Sequence, residues 1–357
     1  MGFVFRVDAS IQIGTGHVMR CLTLAHALKL RNAEVRFICR EHSGNLISYI
    51  QQQGFQVLSL PLVEQTFDLR HLIHAAWLGV TQAQDAEACR VALHGYAADW
   101  LIVDHYALDC EWEEALQVYY NNLMVIDDLA DRVHICNILL DQTYGREASA
   151  YQGKVPDDCQ SLLGSQYALL RPEFAQWRDF SLQRRANPVL KNLLVTMGGV
   201  DQDNVAGQVL EVLGICELPE DISIIVILGL TSPHVAQIKA LARKMPYKTE
   251  VKTGVSNMAE IMSHADIAIG AAGATTWERC CLGLPTILMP LAGNQGAILE
   301  VLTEKGICES LSLNQLSIFP KKIKHLVANL SSFIEKCSLL TNGQGSDLVV
   351  RELYVNT

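Results

Sequence analysis

Residues 3–22 of this chain read FVFRVDASIQIGTGHVMRCL. Residues 3–7 are mostly apolar and predict a buried strand, and Gly14, Thr15 and Gly16 predict a loop. Apolar side chains then recur at helical spacing, at Val18, Cys21, Leu22, Ala25 and Leu28. A strand, a glycine loop and a helix in this order are typical of α/β folds that bind a ligand at the loop.

The alternation of strands and helices continues along the whole chain. Further strands are predicted at residues 35–39, 55–60, 100–104, 123–127, 138–141, 193–197, 222–228, 266–270, 286–290 and 307–309. This pattern predicts an α/β fold with parallel sheets that are covered on both faces.

The length of 357 residues suits two domains, at about 150 residues each. We predict a Rossmann-like domain over residues 1–165, a connection over 166–190 and a second Rossmann-like domain over 191–357. A cleft between the two domains is expected to hold the ligand, with a glycine loop from each domain facing it.

Charge and cysteine content restrict the function further. The net charge is −10 and there is no long Lys/Arg run, so we expect no nucleic-acid partner. The apolar stretches are far shorter than the roughly 20 residues of a membrane helix, so no membrane partner is expected. The 11 cysteines include the adjacent pair Cys280 and Cys281 but no C-x-x-C motif, which indicates reduced thiols and a cytoplasmic location.

The first glycine loop contains the main catalytic candidate. Gly14 and Gly16 allow close approach of a ligand to the backbone, and His17 would stand at the start of the helix. The helix dipole disfavours a charged imidazole there, which would leave His17 as a neutral base. The alternative is a tight turn in which His17 only caps or packs. Arg20, one turn later, either reaches a phosphate or is a solvated arginine.

Two further polar groups lie near predicted strand ends in the first half. Arg6 and Asp8 share one strand face, so Asp8 belongs either to the ligand site or to a buried ion pair. Tyr106, in the segment Asp104-His105-Tyr106, either contacts the substrate, holds His17 in position or packs as a loop aromatic residue. The pair Asp127-Asp128 suits Mg²⁺, but no third ligand is near and we expect no metal.

The second half has its own small-residue loops. Gly199 follows a predicted strand, and Gly273, Thr275 and Thr276 follow another where backbone N–H groups suit a diphosphate. Glu278 either completes a capping box with Thr275 or accepts hydrogen bonds from ribose hydroxyls. The other candidates are amide or apolar side chains near strand ends: Asn257, Met258, Asn294 and Gln295.

Four segments resemble one known family: RVDAS (6–10), IGTGHVMRCL (13–22), DHY (104–106) and AAGATTWER (271–279). The family is that of the UDP-2,4-diacetamido-2,4,6-trideoxy-β-L-altropyranose hydrolases of pseudaminic acid biosynthesis, which serves surface glycan or flagellin glycosylation. It is similar in fold to the two-domain GT-B glycosyltransferases. The resemblance implies hydrolysis of the bond between the anomeric carbon and UDP, with neither a metal nor another cofactor.

The resemblance also implies roles for individual residues. His17 matches the catalytic base, while Arg171 and Glu278 match substrate-binding positions, which favours the ligand role of Glu278 over the capping box. Asn137 stands where an acidic residue is expected, and residues 62–98 are longer than in some relatives. We expect uracil near Asn257 and Met258, ribose on Glu278 and diphosphate on residues 273–276.

Two other functions stay open at this point. One is a GT-B glycosyltransferase that uses a UDP-N-acetyl-sugar donor, and the other is a non-catalytic nucleotide-sugar-binding protein. The partner in every case is a small-molecule UDP-sugar. The sequence leaves the oligomeric state open and is compatible with a monomer.

Overall fold

The computed structural model describes residues 1–63, 72–229, 232–291 and 295–356. The chain divides into two compact units. Unit 1 comprises Met1–Leu169 together with Gly345–Thr357, and unit 2 comprises Leu170–Gln344.

Each unit is built on one parallel sheet. The strands of unit 1 are β1 (Gly2–Val7), β2 (Glu34–Arg40), β3 (Gln56–Leu60), β4 (Ala98–Asp104), β5 (Tyr120–Ile126), β6 (Ile138–Asp141) and β7 (Gln160–Leu163). Those of unit 2 are β8 (Asn192–Thr196), β9 (Ser223–Leu228), β10 (Lys248–Thr253), β11 (Ile267–Ala271), β12 (Thr286–Met289) and β13 (Glu309–Ser310).

The helices cover the faces of these sheets. They are α1 (Gly16–Lys29), α2 (Ile47–Gln52), α3 (Gln82–Ala92), α4 (Cys110–Ala115), α5 (Pro172–Arg184), α6 (Val205–Leu213), α7 (Val235–Ala242), α8 (Met258–His264), α9 (Thr275–Cys281), α10 (Gly296–Glu304), α11 (Phe319–Ala328), α12 (Leu330–Ser338) and α13 (Gly345–Val355). Short 3₁₀ helices span Ala75–Leu78, Gln117–Tyr119, Ala148–Tyr151, Ser165–Tyr167 and Leu313–Ile318.

The sheet of unit 1 has the strand order β3-β2-β1-β4-β5-β6-β7. The strand β1 lies at the centre of the sheet, and its side chains from Phe3 to Val7 are buried on both faces. Phe3 and Phe5 pack with α1 and α13 on one face, and Val4 packs with the residues around Leu101 on the other. From β1, the strands β2 and β3 are added on one side of the parallel sheet, and β4 to β7 are added on the other. The switch point between β1 and β4 is where ligands of doubly wound sheets bind.

The sheet of unit 2 repeats this arrangement, with the order β10-β9-β8-β11-β12-β13. Its switch point lies between β8 and β11. One buried cluster joins these strands to α6 and α11, through residues such as Val195, Leu210, Ile269 and Phe319. The prediction of two doubly wound Rossmann-like domains is therefore confirmed.

The division of the chain differs from the predicted boundaries at two places. Helix α13 belongs to unit 1, since Val349 and Leu353 pack against the core around β1. The predicted connection over residues 166–190 is not a separate region. Its first residues belong to unit 1, whereas α5 packs on α8 and α9 of unit 2.

Candidate active site

In unit 1, His17 and Asp104 lie at the carboxyl ends of the two strands that flank the switch point, β1 and β4. His17 is the second residue of α1, in the segment that follows β1, and Asp104 is the last residue of β4. The strands are direct neighbours, with Val7 paired to Asp104. The carboxyl ends of parallel strands meet at one edge, so the two side chains are brought together.

His17 and Asp104 form a short hydrogen bond. The distance from His17 Nδ1 to Asp104 Oδ1 is 2.6 Å, and the carboxylate is fully buried whereas the imidazole is 11% exposed. With Nδ1–H donating to the carboxylate, the neutral tautomer keeps its lone pair on Nε2. Although burial opposes it, the Arg20 guanidinium, helped by His17, holds the pKa of Asp104 well below its usual range. The pair therefore presents an oriented imidazole with a basic nitrogen.

Arg20 is bound to two carboxylates and is not solvated. Its Nε and Nη2 donate to both oxygens of Asp104 at 2.6 and 2.7 Å, and Nη1 donates to Asp128 at 2.6 Å. The side chain is only 6% exposed. The prediction of a solvated arginine is wrong, because the buried carboxylate of Asp104 and the half-buried carboxylate of Asp128 take up the guanidinium. These contacts suit a residue that positions Asp104, and contact of Arg20 with a phosphate stays a prediction.

Tyr106 is buried beside His17. Its hydroxyl donates to Asp128 Oδ2 at 2.8 Å, and its ring meets the imidazole edge to face with centroids 4.6 Å apart. This arrangement supports the prediction that Tyr106 holds His17 in position. The sequence analysis missed Trp77, which lies in the 3₁₀ helix Ala75–Leu78. Its ring stacks on that of Tyr106, with the two ring centroids 5.6 Å apart.

Asp8 belongs to a buried ion pair and not to a ligand site. Its carboxylate lies 2.7 Å from Arg6 Nη1 and accepts the backbone N–H of Arg40 at 2.6 Å. Asp8 is 1% exposed, so a substrate cannot reach it without a rearrangement of the core. The substrate-binding role predicted for Asp8 is therefore corrected to a structural one.

Gly14 and Gly16 shape the loop in different ways. Gly14 has a φ of 80°, which only glycine adopts at low cost, and its N–H donates to Ser10 O at 2.9 Å. Gly16 is exposed and begins α1, and a Cβ there would meet nothing within 4 Å. Space alone thus does not require glycine at residue 16.

The acidic pair Asp127-Asp128 is engaged by other groups. Asp127 accepts from Arg132 at 2.6 Å, and Asp128 accepts from Arg20 and Tyr106. Within the described ranges, no group of three or more His, Cys, Asp or Glu side chains is arranged to hold a metal ion. Among the same residues, no helix has both the length and the apolar character to cross a membrane.

In unit 2, the loops after β8 and β11 flank the switch point. Gly199 is exposed in the first loop, and its carbonyl oxygen would lie 1.7 Å from a Cβ added to Gly229, so the turns after β8 and β9 pack backbone to backbone. Gly273 lies in the second loop, where a Cβ would come within 3.8 Å of Gln295 Nε2. Gln295 also accepts the N–H of Leu291 at 2.8 Å. Asn294 lies outside the described residues.

Glu278 does not form the capping box with Thr275. Helix α9 begins at Thr275, its N-cap position is Ala274, and there is no side-chain capping hydrogen bond. Glu278 is 17% exposed, and burial raises the pKa of its carboxyl to about 7, against the opposing effect of Arg171. The carboxyl group is thus available to a ligand.

Arg171 lies next to Glu278. It precedes α5, and its guanidinium contacts Glu173 at 2.8 Å and Glu278 at 3.8 Å. Its side chain is 30% exposed, so it can also reach an anionic ligand. The structure therefore brings together the two residues that the resemblance identifies as substrate-binding.

The remaining candidates follow β10 and β11. Asn257 is exposed after β10, and its amide donates to Glu260 at 2.6 Å instead of capping the backbone of α8. Met258 is half-buried and begins α8. Thr276, in the first turn of α9, is buried and receives a 3.4 Å contact from Arg279 Nη2 at its hydroxyl.

Replacement of Glu278 by glutamine is expected to stabilise the protein at pH 8. Because the raised pKa lies near 7 and an unfolded glutamate titrates near 4.5, folding loses stability as the pH rises through this interval. We expect Glu278→Gln to raise the free energy of unfolding by about 1–3 kcal/mol at pH 8 and by much less at pH 5. Urea denaturation at both pH values measures the difference. An equal effect at both would contradict the raised pKa.

The comparisons first define a class of protein. Residues 192–345 match the glycosyltransferase family 28 C-terminal domain. The fold is similar to that of MurG from Acinetobacter baumannii, with a TM-score of 0.67, 16% identity and 99% of each chain covered. It is also similar to the UDP-GlcNAc 2-epimerase of Neisseria meningitidis, with a TM-score of 0.62, 12% identity and 99% of each chain covered. The fold is thus of the GT-B type.

Sequence relatives confirm the resemblance to one hydrolase. The UDP-2,4-diacetamido-2,4,6-trideoxy-beta-L-altropyranose hydrolase of Campylobacter jejuni is 26% identical over 306 residues, which is 86% of this chain and 97% of the relative. The spore coat polysaccharide biosynthesis protein SpsG of Bacillus subtilis is 23% identical over 342 residues, covering 94% of this chain and 91% of the relative.

Proposed function

We propose that this chain hydrolyses the glycosyl C–O bond of UDP-2,4-diacetamido-2,4,6-trideoxy-β-L-altropyranose, yielding the free sugar and UDP for pseudaminic acid biosynthesis. The relatives support an enzyme that processes nucleotide sugars in glycan biosynthesis. A cytoplasmic location is part of the proposal, and it agrees with the free thiols of all described cysteines.

The hydrogen-bonded pair of His17 and Asp104 carries the proposal. Asp104 orients the ring through Nδ1 and stabilises the positive charge that forms when Nε2 accepts a proton. The N-terminal end of α1 carries a partial positive charge that disfavours an imidazolium at His17. The buried carboxylate of Asp104 is therefore needed to make proton uptake favourable. The structure thus supports a general base that is held in one orientation.

The proposed chemical step is the attack of water on the anomeric carbon. Nε2 of His17 removes a proton from water, the water oxygen bonds to the anomeric carbon, and the bond from this carbon to the UDP oxygen breaks. The electron pair stays on the β-phosphate of UDP, a good leaving group, and the proton on His17 later passes to solvent. Attack from the side opposite UDP predicts inversion at the anomeric carbon.

Unit 2 is proposed to bind the UDP part. Glu278 would accept hydrogen bonds from the ribose hydroxyls, a role that its missing capping bond and its partial exposure support. Arg171 would offset part of the negative charge of UDP with its guanidinium, from its position beside Glu278. Uracil is placed near Asn257 and Met258, and the diphosphate on the backbone N–H groups of residues 273–276.

The test is incubation of the protein with UDP-sugars, without an acceptor and with EDTA present, followed by NMR of the products. We expect free sugar and UDP in equal amounts, with the inverted anomer formed first. Turnover that needs an added alcohol would instead indicate a glycosyltransferase. Bound UDP-sugar that stays intact over hours would indicate a binding protein.

A further inference from the structure

Arg279 is a buried cation that has no carboxylate partner among the residues the structure describes. It lies in α9 and is 1% exposed. Its Nη2 donates to Ala271 O at 2.6 Å and contacts Thr276 Oγ1 at 3.4 Å. Among the described residues, Nε and Nη1 have no hydrogen-bond partner and no carboxylate lies within ion-pair distance of the guanidinium.

Four of the other deeply buried arginines have a carboxylate partner: Arg6, Arg20, Arg40 and Arg132 each lie within 2.7 Å of a carboxylate oxygen. A fifth, Arg185, is bound by carbonyl and hydroxyl oxygens. A buried cation without a counter-ion is costly, and burial lowers the pKa of Arg279 to about 10. A ligand anion in the bound state would offset this cost.

The guanidinium lies directly under the loop after β11. Its two contacts, Ala271 and Thr276, bracket residues 272–275. A Cβ on Gly270 would lie 2.3 Å from Nη1, so glycine at the end of β11 is what leaves room for the arginine. The loop therefore has a fixed positive charge beneath it, in a chain whose net charge is −10.

We propose that Arg279 supplies the positive charge that holds the diphosphate of UDP, acting through the loop of residues 271–276 without touching the ligand. This inference rests on the proposed binding of UDP by unit 2. Arg279 is then a positioning residue whose effect grows with the charge of the ligand. Binding of the neutral nucleoside uridine should depend very little on Arg279, whereas binding of UDP should depend on it strongly.

The experiment compares the dissociation constants of UDP and uridine by calorimetry in the full chain. Arg279→Gln keeps a donor for Ala271 but removes the charge. We expect it to weaken UDP binding about tenfold or more and uridine binding by less than about twofold. Arg279→Lys keeps the charge and should retain most of the preference for UDP over uridine.

Arg185→Gln is the matched control. Arg185 is also buried, donates only to carbonyl and hydroxyl oxygens such as Ala265 O at 2.6 Å, and has a pKa lowered by burial to about 10. It lies near the start of β11, the opposite end from Arg279, so its loss should cost stability without changing the preference for UDP.

Several outcomes would overturn the inference. Equal losses of UDP and uridine binding in Arg279→Gln, or no loss of either, would leave Arg279 a structural residue. If Arg279→Gln does not fold, the test uses a folded Arg279→Lys protein. Loss of the preference for UDP over uridine in Arg279→Lys would also overturn the inference, whereas retention of this preference would support it. A wild-type protein that fails to bind UDP overturns the proposed function, whereas a failure of the variants alone overturns only the role of Arg279.

Discussion

Turnover of the UDP-sugar is expected to fall by about 10²–10⁴-fold when His17 is replaced by alanine, which is the usual contribution of a general base. The reason is that Nε2 of His17 is the proposed proton acceptor, held in place by Asp104 at 2.6 Å. UDP binding should change by less than about twofold, because the UDP site is assigned to unit 2. Steady-state kinetics and calorimetry with UDP measure the two effects.

His26→Ala is the control for this variant. His26 lies on the same helix, partly buried against Phe55, and has no contact with Asp104. Its loss should leave turnover near the wild-type value. A His17→Ala protein that is folded and retains full turnover would remove the base from the proposed reaction.

Replacement of Asp104 by asparagine should be nearly as damaging, with a loss of kcat of roughly 10²–10⁴-fold. An amide would no longer stabilise the imidazolium, and it could favour the tautomer with the proton on Nε2. It would also leave Arg20 with Asp128 as its remaining carboxylate partner. The measurement is kcat against pH, since a merely structural role would lower the amount of folded protein without altering the pH profile.

Glu113→Gln is the matched control for Asp104→Asn. Glu113 and His134 form a second buried carboxylate–imidazole pair in unit 1, also at 2.6 Å. Its disruption should lower stability to a similar extent. If Glu113→Gln reduced kcat as much as Asp104→Asn does, the loss would reflect folding and not the orientation of His17.

The α/β architecture could be predicted because its central strands are mostly apolar and are buried on both faces. The strand β1 shows this most clearly, since Phe3, Val4 and Phe5 are completely buried. Two strands were missed, β7 and β10, and the second has the sequence KTEVKT. An edge strand is paired on one side only and is partly solvated, so its sequence lacks the apolar run that identifies a central strand.

The site was predictable in its location but not in its contacts. The sequence motifs and the resemblance indicate His17, Tyr106, Glu278 and Arg171, but they do not identify Asp104 as the partner of His17. Sequence spacing places residues at a strand end but does not tell which carboxylate faces which cation. The same limit explains Arg20, whose partners Asp104 and Asp128 are distant in sequence. Asp8 differs, because its ion-pair partner Arg6 is two residues away and the buried pair was one of the two predicted alternatives.

The assignment of α13 to the wrong domain has a related cause. Helix α13 follows unit 2 in sequence, but its apolar face packs against the core of unit 1. Its amphipathic pattern indicates that one face is buried and does not indicate against which sheet. Only a long-range contact, such as Gln160 to Glu352 at 2.7 Å, identifies the partner.

The central claim is that His17 directs water to the anomeric carbon and not to phosphorus. A single-turnover reaction in ¹⁸O-labelled water, with both products analysed by mass spectrometry, tests it most directly. We expect one labelled oxygen on the sugar and none on UDP. Label on the phosphate of UDP, with none on the sugar, would show that the P–O bond is broken and would contradict the proposed mechanism.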